Sequence, residues 1–528
     1  MNRLPAVLLA ASILGFSSVS TRVSAQRANA QRVDAPRTEL FRPQYHFTPD
    51  RNWMNDPNGM VYYDGEWHLF YQYNPFGEKW GHMSWGHSVS RDLVQWETLP
   101  FALAESDGIM IFSGSAVVDW KNSSGFGVGG KPPLVAIYTG HRDGRQDQRI
   151  AYSTDRGRTW TKYAGNPVLD VQKADFRDPK VFWHAASSRW IMTVALSTEK
   201  KVRFYASTDL KSWTIVGEFG PAGASDGLWE CPDLFELPIE GGGTRWVLIV
   251  NINPGGPAGG SGSQYFTGAF DGKRFAADAD TKGTRWADYG ADFYAGVSWG
   301  DVPTSDGRRV WLGWMSNWNY AVDVPTTPWR SEMSVPRALS LRKTPDGLRL
   351  VQTPVKELTA MLALPARTFA GGTLRAANTW LALQKDLPPL LDIELSFAIT
   401  TTSAPFTVSL TTGPREHTDI TVNSTLQQIT FDRTHSGKSD FFQGFAATHS
   451  APLRIGRDGV HMRLLLDASS LEVFAQDGET VLTELIFPTG SSRTLSIAES
   501  VATTERVVRS ISIHPLTAPH ALATKAAR

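Results

Sequence analysis

The sequence predicts an all-β protein, a five-bladed β-propeller followed by a C-terminal β-sandwich. Three observations carry that expectation. The first is a succession of short alternating or aromatic runs, among them Leu134–Thr139, Trp190–Ala195, Trp246–Asn251 and Val310–Trp314, separated by Gly, Pro, Asn and Asp. Such runs read as strands and turns. The second is a weak internal repeat. Ser90-Arg91-Asp92 leads to Trp96, Ser153-Thr154-Asp155 to Trp160, and Ser207-Thr208-Asp209 to Trp213. Each copy reads as a strand, a turn opened by Ser and Asp side chains, and a Trp on the next strand. A period of roughly 60 residues suits radial blades of four antiparallel strands, and about 310 residues then make five blades. The third is renewed alternation beyond residue 366, in Leu391–Ile399, Phe406–Leu410, Val460–Leu466, Leu471–Phe474 and Val481–Phe487. It reads as two sheets packed face to face.

In chain order, residues 1–25 have the make-up of a secretory signal. Arg3 supplies the positive start, Leu4 to Phe16 is almost wholly apolar, and Val23-Ser24-Ala25 offers a cleavage site before Gln26, with Ala28-Asn29-Ala30 as a second. The apolar stretch is too short for a transmembrane helix. The expected location is secreted or periplasmic, with no membrane partner after cleavage. Residues 26–41 read as a linker, 42–352 as the propeller, 353–365 as a second linker or short helix around Pro354–Leu358, 366–516 as the sandwich, and 517–528 as an Ala-rich loose tail.

The 528 residues carry 52 basic and 52 acidic side chains. Neutrality excludes an electrostatic case for nucleic acid and fits a neutral substrate such as a sugar. Nineteen Trp are the compositional excess; aromatic faces stack on sugar rings, although core packing is the plainer reading of any one of them. The single cysteine, Cys231, excludes a disulfide within the chain and reads as a packing residue. His82 and His87 lack a third ligand at metal spacing, so no metal is expected. The Gly-rich run Gly255–Gly262 has no Lys-Ser/Thr and reads as a flexible loop at a pocket mouth. No cofactor is expected.

Three carboxylates stand in unusual settings. Asp56 lies in Trp53-Met54-Asn55-Asp56-Pro57-Asn58-Gly59, which reads as a rigid turn. Asp178 lies in Arg177-Asp178-Pro179, and Glu230 in Trp229-Glu230-Cys231-Pro232. Glycosidic cleavage needs a proton for the leaving oxygen and stabilisation of an oxocarbenium-like centre, which two carboxyl groups supply if their environments separate their pKa values. Trp229 and Cys231 are apolar neighbours suited to keeping Glu230 protonated.

The ordered set WMNDPNG, RDP, ECP resembles glycoside hydrolase family 32, the β-fructofuranosidases. FYQYNP at 70–75, WGH at 85–87, FSG at 112–114, DFYAG at 292–296 and LEVF at 471–474 agree, over residues 42 to 515. The resemblance independently implies a five-bladed catalytic propeller and a sandwich. It implies Asp56 as nucleophile, Glu230 as general acid/base and Asp178 as transition-state stabiliser. It also implies a fructose pocket in which Asn55, Gln72, Ser113 and Arg177 meet the substrate, Trp80, Phe112 and Trp329 form walls, and Asp292 and Tyr294 lie at the rim. Two departures put local salt bridges in doubt: Ala468 follows Asp467 where the family has Arg, and Ala338 follows Arg337 where Glu is common.

The implied activity is that of a secreted retaining exo-β-fructosidase acting on levan, inulin and sucrose. FSGSAVVD with NSSGF resembles levanases and exo-inulinases. The rival readings are an arabinan- or xylan-type propeller glycosidase, which lacks this WMNDPNG stretch, and a non-catalytic carbohydrate-binding propeller and sandwich, which needs no proton donor beside a nucleophile.

Overall fold

The computed structural model describes residues 38–279, 283–362, 364–385, 387–499 and 507–519. The expected signal sequence, most of the expected first linker and the end of the expected tail lie outside these residues.

Five antiparallel sheets succeed one another along the chain, each a meander whose first strand is the innermost. The inner strands are Asn52–Tyr63, Met110–Val118, Phe176–His184, Leu228–Pro238 and Tyr294–Ser298, for blades I to V. Trp329–Arg330 leaves blade V and pairs in parallel with Asn52 and Trp53 of blade I, which closes the ring. Apolar clusters fill the spaces between blades: Phe70, Trp85 and Tyr138 between I and II, Phe176 and Met192 between II and III, Trp229 and Phe266 between III and IV, Phe293 and Trp311 between IV and V. Buried Trp side chains are therefore chiefly inter-blade filling, each contributing large apolar area.

The Ser-Asp…Trp repeat marks one place in successive blades. Ser90, Ser153 and Ser207 end the third strands of blades I, II and III. Each Ser hydroxyl donates to the following Asp, at 3.1, 2.7 and 3.0 Å. The Trp residues lie one position before the fourth strand. Blade IV keeps the turn in altered letters: Asp271 accepts from the amides of Lys273 and Arg274 (2.8 and 2.7 Å), with Phe275 in the place of Trp.

After the last blade strand, Gly347–Pro354, a 3-10 helix spans Lys356–Met361 and buries Leu358 and Met361. The following sheets have orders that bring sequence-distant strands side by side, with Leu391–Ala398 between Val507–Pro515 and Val460–Leu466 in one, and Phe406–Gly413 between Glu416–Asn423 and Thr494–Glu499 in the other. Their facing apolar residues make one core around Leu395, Phe397, Val408, Phe431, Leu464 and Ile511. Among the described residues one α-helix, Leu374–Ala382, is capped by Thr373, whose hydroxyl accepts from Ala376 N–H. None of the helices is long and apolar enough to cross a membrane among the described residues.

Candidate active site

The inner strand of every blade carries a register shift near the same end. The shifts fall between Met54 and Pro57, Ile111 and Gly114, Arg177 and Lys180, Glu230 and Asp233, and Tyr294 and Val297. A bulge re-aims side chains and frees a backbone amide from the ladder, and a freed amide is where proline is tolerated. Hence Pro57, Pro179 and Pro232 sit in the bulges of blades I, III and IV, and Gly114 and Gly296 in those of II and V. Asp178, Cys231 and Ala295 take positive φ of 64°, 44° and 52° at these points. That conformation costs a non-glycine residue about 1–3 kcal/mol, which the surrounding sheet must offset. The Asp56 segment is thus not a turn: Asn52–Tyr63 is one continuous, doubly bulged strand. Its turn-forming letters serve the bulges.

The bulges gather Asp56, Asp178 and Glu230 on one cavity of about 370 Å³, lined also by Asn55, Gln72, Trp80, Phe112, Ser113 and Arg177. That is near the small end for small-molecule sites. Asp56 Oδ1 accepts from Asn55 Nδ2 (3.1 Å) and Oδ2 from Ser113 Oγ (2.9 Å). Trp53 Nε1 donates to Asn55 Oδ1 at 2.8 Å, which turns the Asn55 amide nitrogen toward Asp56. Asp178 Oδ2 accepts from Cys231 N–H at 2.9 Å. Its own amide is held by Thr139 Oγ1 (3.0 Å), which donates to Gln148 (3.0 Å). Glu230 accepts from Arg177 Nε at 2.8 Å and from the Tyr294 hydroxyl. Gln72 is buried, and its amide nitrogen has no partner among the described residues, so it presents a donor to the cavity.

Burial, and then the charge of Glu230, push the Asp56 carboxyl up to about 6, against the hydrogen bonds from Asn55 and Ser113. Asp178 is raised too, by burial and Glu230, with Arg177 opposing. Burial works against the Arg177 charge, but Glu230 and Asp178 more than offset it. The Cys231 thiol stands 3.5 Å from Asp178 Oδ2 and 3.7 Å from Asp56 Oδ2. Burial and those two charges hold it neutral, which makes it a weak donor between two acceptors.

Four expectations require correction. Trp329 is 1% exposed and lies under the Arg42 guanidinium, 4.6 Å from its ring centroid, away from the cavity. It is consumed by the strand pairing that closes the ring. Trp318 takes the wall position instead, stacked on Trp53 at 5.9 Å. Glu230 is held by polar groups instead of the expected apolar neighbours: Trp229 packs between blades III and IV, Cys231 turns its thiol to Asp56 and Asp178, and the carboxyl is left to Arg177 and Tyr294. Asp292 and Tyr294 are both buried and not at a rim: Asp292 is paired with Arg433, and Tyr294 reaches Glu230 from within the protein. The Gly-rich segment is pinned: Asn317 Nδ2 donates to Gly259 O (3.0 Å) and Gly256 N–H to Gly260 O (2.9 Å).

Sequence reasoning also missed His141, Gln146, Asp175, Leu228 and Asn253, which complete the lining. His141 stacks on Phe112 at 4.7 Å, and Phe112 meets Trp80 edge-on at 6.0 Å. Gln146 Oε1 accepts from Arg177 Nη1 at 3.2 Å. Their only sequence signal is position, close to an inner strand's bulge or at the strand ends that share its level.

Comparison with known proteins agrees with this architecture. Residues 46–354 match the model for the glycosyl hydrolases family 32 N-terminal domain, and residues 374–515 that for the family 32 C-terminal domain. The chain is 48% identical over 484 residues to a levanase of Bacillus subtilis (strain 168), covering 90% of this chain and 71% of that protein. It is 41% identical over 507 residues to an extracellular exo-inulinase of Aspergillus awamori, covering 88% and 93%. The crystal structure of exo-inulinase from Aspergillus awamori superposes with a TM-score of 0.83 at 39% identity, over 91% of this chain and 99% of that one. A β-fructofuranosidase from Schwanniomyces occidentalis complexed with fructosyl-erythritol gives 0.82 at 33%, over 92% and 99%.

Proposed function

The chain belongs to glycoside hydrolase family 32, and from that membership we propose that it is a secreted, retaining exo-β-fructosidase that releases terminal fructose from levan, inulin and sucrose. The observation carrying this reading is the meeting of three carboxylates from blades I, III and IV in one small cavity, each with a different set of partners. Asp56 attacks the anomeric carbon, and Glu230 gives its proton to the leaving oxygen. Water then releases the fructosyl group from Asp56 with Glu230 as base. Asp178, fixed by the Cys231 amide, accepts substrate hydroxyls and faces the developing positive charge. Tyr294 and Arg177 aim the Glu230 carboxyl from its two oxygens. Asn55, Gln72 and Ser113 supply polar contacts, and Trp80, Phe112 and Trp318 supply apolar faces for one ring. The levanase and exo-inulinase relatives support both fructan linkages as substrates.

The test is direct. The D56A and E230A variants should fold and lose several orders of magnitude in kcat on all three substrates. E230A should keep part of its activity on an aryl fructoside whose leaving group needs no proton. Early digests of levan and inulin should contain free fructose and no accumulating oligosaccharides, with the β-anomer seen first by NMR. Early oligosaccharides, or first release of the α-anomer, overturn the reading.

A further inference from the structure

The residues ahead of blade V's inner strand lie along the sandwich strand Thr480–Leu485. Tyr289 N–H donates to Val481 O (2.9 Å), Asp292 N–H to Thr483 O (3.1 Å), and Leu485 N–H to Asp292 Oδ2 (2.8 Å). Gly290 permits the approach, since a Cβ there would stand 2.2 Å from Thr483 O. Arg433, from the sandwich strand Gln428–His435, locks this contact. Its Nη1 donates to Asp292 Oδ2 (2.7 Å) and lies 2.9 Å from Glu484. Its Nη2 donates to the Tyr320 hydroxyl (3.1 Å) and its Nε to Phe445 O (2.8 Å). The Tyr320 hydroxyl in turn donates to Asp292 Oδ1 at 2.6 Å. Arg433, Asp292 and Glu484 are at most 1% exposed.

Both segments gripped by this knot lead into the cavity. Two residues after Asp292 comes Tyr294, whose hydroxyl meets Glu230. Two residues before Tyr320 comes Trp318, and Asn317 beside it ties the segments together by donating to Ala291 O at 2.8 Å. A planar guanidinium with donors on three sides suits this junction, where a lysine ammonium would not span the same acceptors.

We propose that Arg433 of the sandwich is a positioning residue for the propeller's site, setting Tyr294 against Glu230 and Trp318 against the bound sugar through Asp292 and Tyr320. The sandwich is then part of the catalytic geometry, not only a support. The inference rests on the roles given above to Glu230 and Trp318.

The experiment compares R433K, Y320F and a control, R463M, which breaks the Arg463–Asp392 pair elsewhere in the sandwich. All are assayed on sucrose well below their Tm. R433K should lose about tenfold in kcat, since small misplacements of reacting groups are costly, and should also raise KM. Y320F, which loosens the Trp318 segment while leaving the ion pair, should raise KM several-fold with kcat within about twofold. R463M should alter Tm only. Backbone hydrogen exchange is the readout independent of turnover: R433K should accelerate it in residues 290–296 and 316–321 and not in Met110–Val118. Exchange unchanged in those two segments, or R433K kinetics matching R463M, overturns the proposal. Absence of turnover in the unmodified enzyme would instead overturn the functional reading, and the exchange arm would still decide this one.

Discussion

Asp56 illustrates how a single residue carries opposed demands. Its carboxyl is raised to about 6 from an ordinary value of 3.8, so between those values the folded protein binds a proton that the unfolded chain has released. Stability from this group is therefore greatest at low pH, falls as pH rises from about 3.8 to about 6, and stays at the lower level above that. Turnover needs the ionised form, so kcat/KM should fall as pH drops through about 6. D56N should be inactive yet more stable than the parent at pH 7, by up to about 3 kcal/mol, with the gain vanishing near pH 4. Denaturant melts at both pH values check this, and equal stability at pH 7 would contradict it. Cys231 gives a second residue-scale prediction. Buried and held protonated between two carboxylates, it should resist iodoacetamide at pH 8, and activity should survive the treatment; mass spectrometry of the native protein would show any labelling. The sequence made the three carboxylates legible because proline follows two of them directly and Glu230 one residue later. It did not make Trp318 or Tyr294's bond to Glu230 legible, because those side chains reach across from another blade.

At the scale of the strand, the shared device is the bulge. The sequence expressed it as Asp-Pro, Asp-Pro and Cys-Pro in three blades and as Ser-Gly and Ala-Gly in the other two, and only the first of these, at Asp56, read as a turn. The repeat of Ser-Asp…Trp was legible for three blades. Blade IV escaped because Phe270-Asp271…Phe275 keeps the carboxylate cap and changes the flanking letters. The helix Leu374–Ala382 was similarly concealed: Leu374, Ala377 and Leu381 form its buried face behind the Thr373 cap, but nine residues are few for a periodic signal. The bulge of blade II makes a stringent prediction. A Cβ on Gly114 would lie 2.1 Å from the Ile137 carbonyl oxygen on the neighbouring strand. G114A must therefore push the strands apart, which should cost about 1–3 kcal/mol and displace Ser113 from Asp56. Thermal melts should fall by several degrees, and kcat should fall with them. Unchanged values would mean that the bulge yields freely.

For the whole molecule, the propeller and sandwich meet through buried charge. Arg337 of the propeller bridges Asp288 (3.0 Å) and Glu472 (2.6 Å), and His46 lies between Asp467 and Glu472, 2.8 Å from each. Both departures from the family pattern fall here, and both acids and Arg337 are nonetheless paired; Ala338 and Ala468 took away none of these contacts. Buried ion pairs add little net stability against apolar packing, but losing one partner is costly, so such a junction holds one geometry more than it adds strength. Its pH behaviour follows from His46. Burial disfavours the imidazolium, but hydrogen bonds and charge from Asp467 and Glu472 outweigh it and raise the ring to about 10. A raised histidine stabilises fully below its unfolded value of 6.5, and that contribution is lost progressively as pH rises toward 10. Asp467 and Glu472 are lowered, so their contribution is present above the ordinary carboxylate range and lost in acid. The junction should accordingly be strongest between about pH 5 and 6.5. Tm should decline steadily from pH 7 to 10, and H46Q, which is neutral throughout, should start from a lower Tm and show a flatter alkaline limb. Parallel slopes for parent and variant across that range would show that His46 does not carry the proton that joins the two domains.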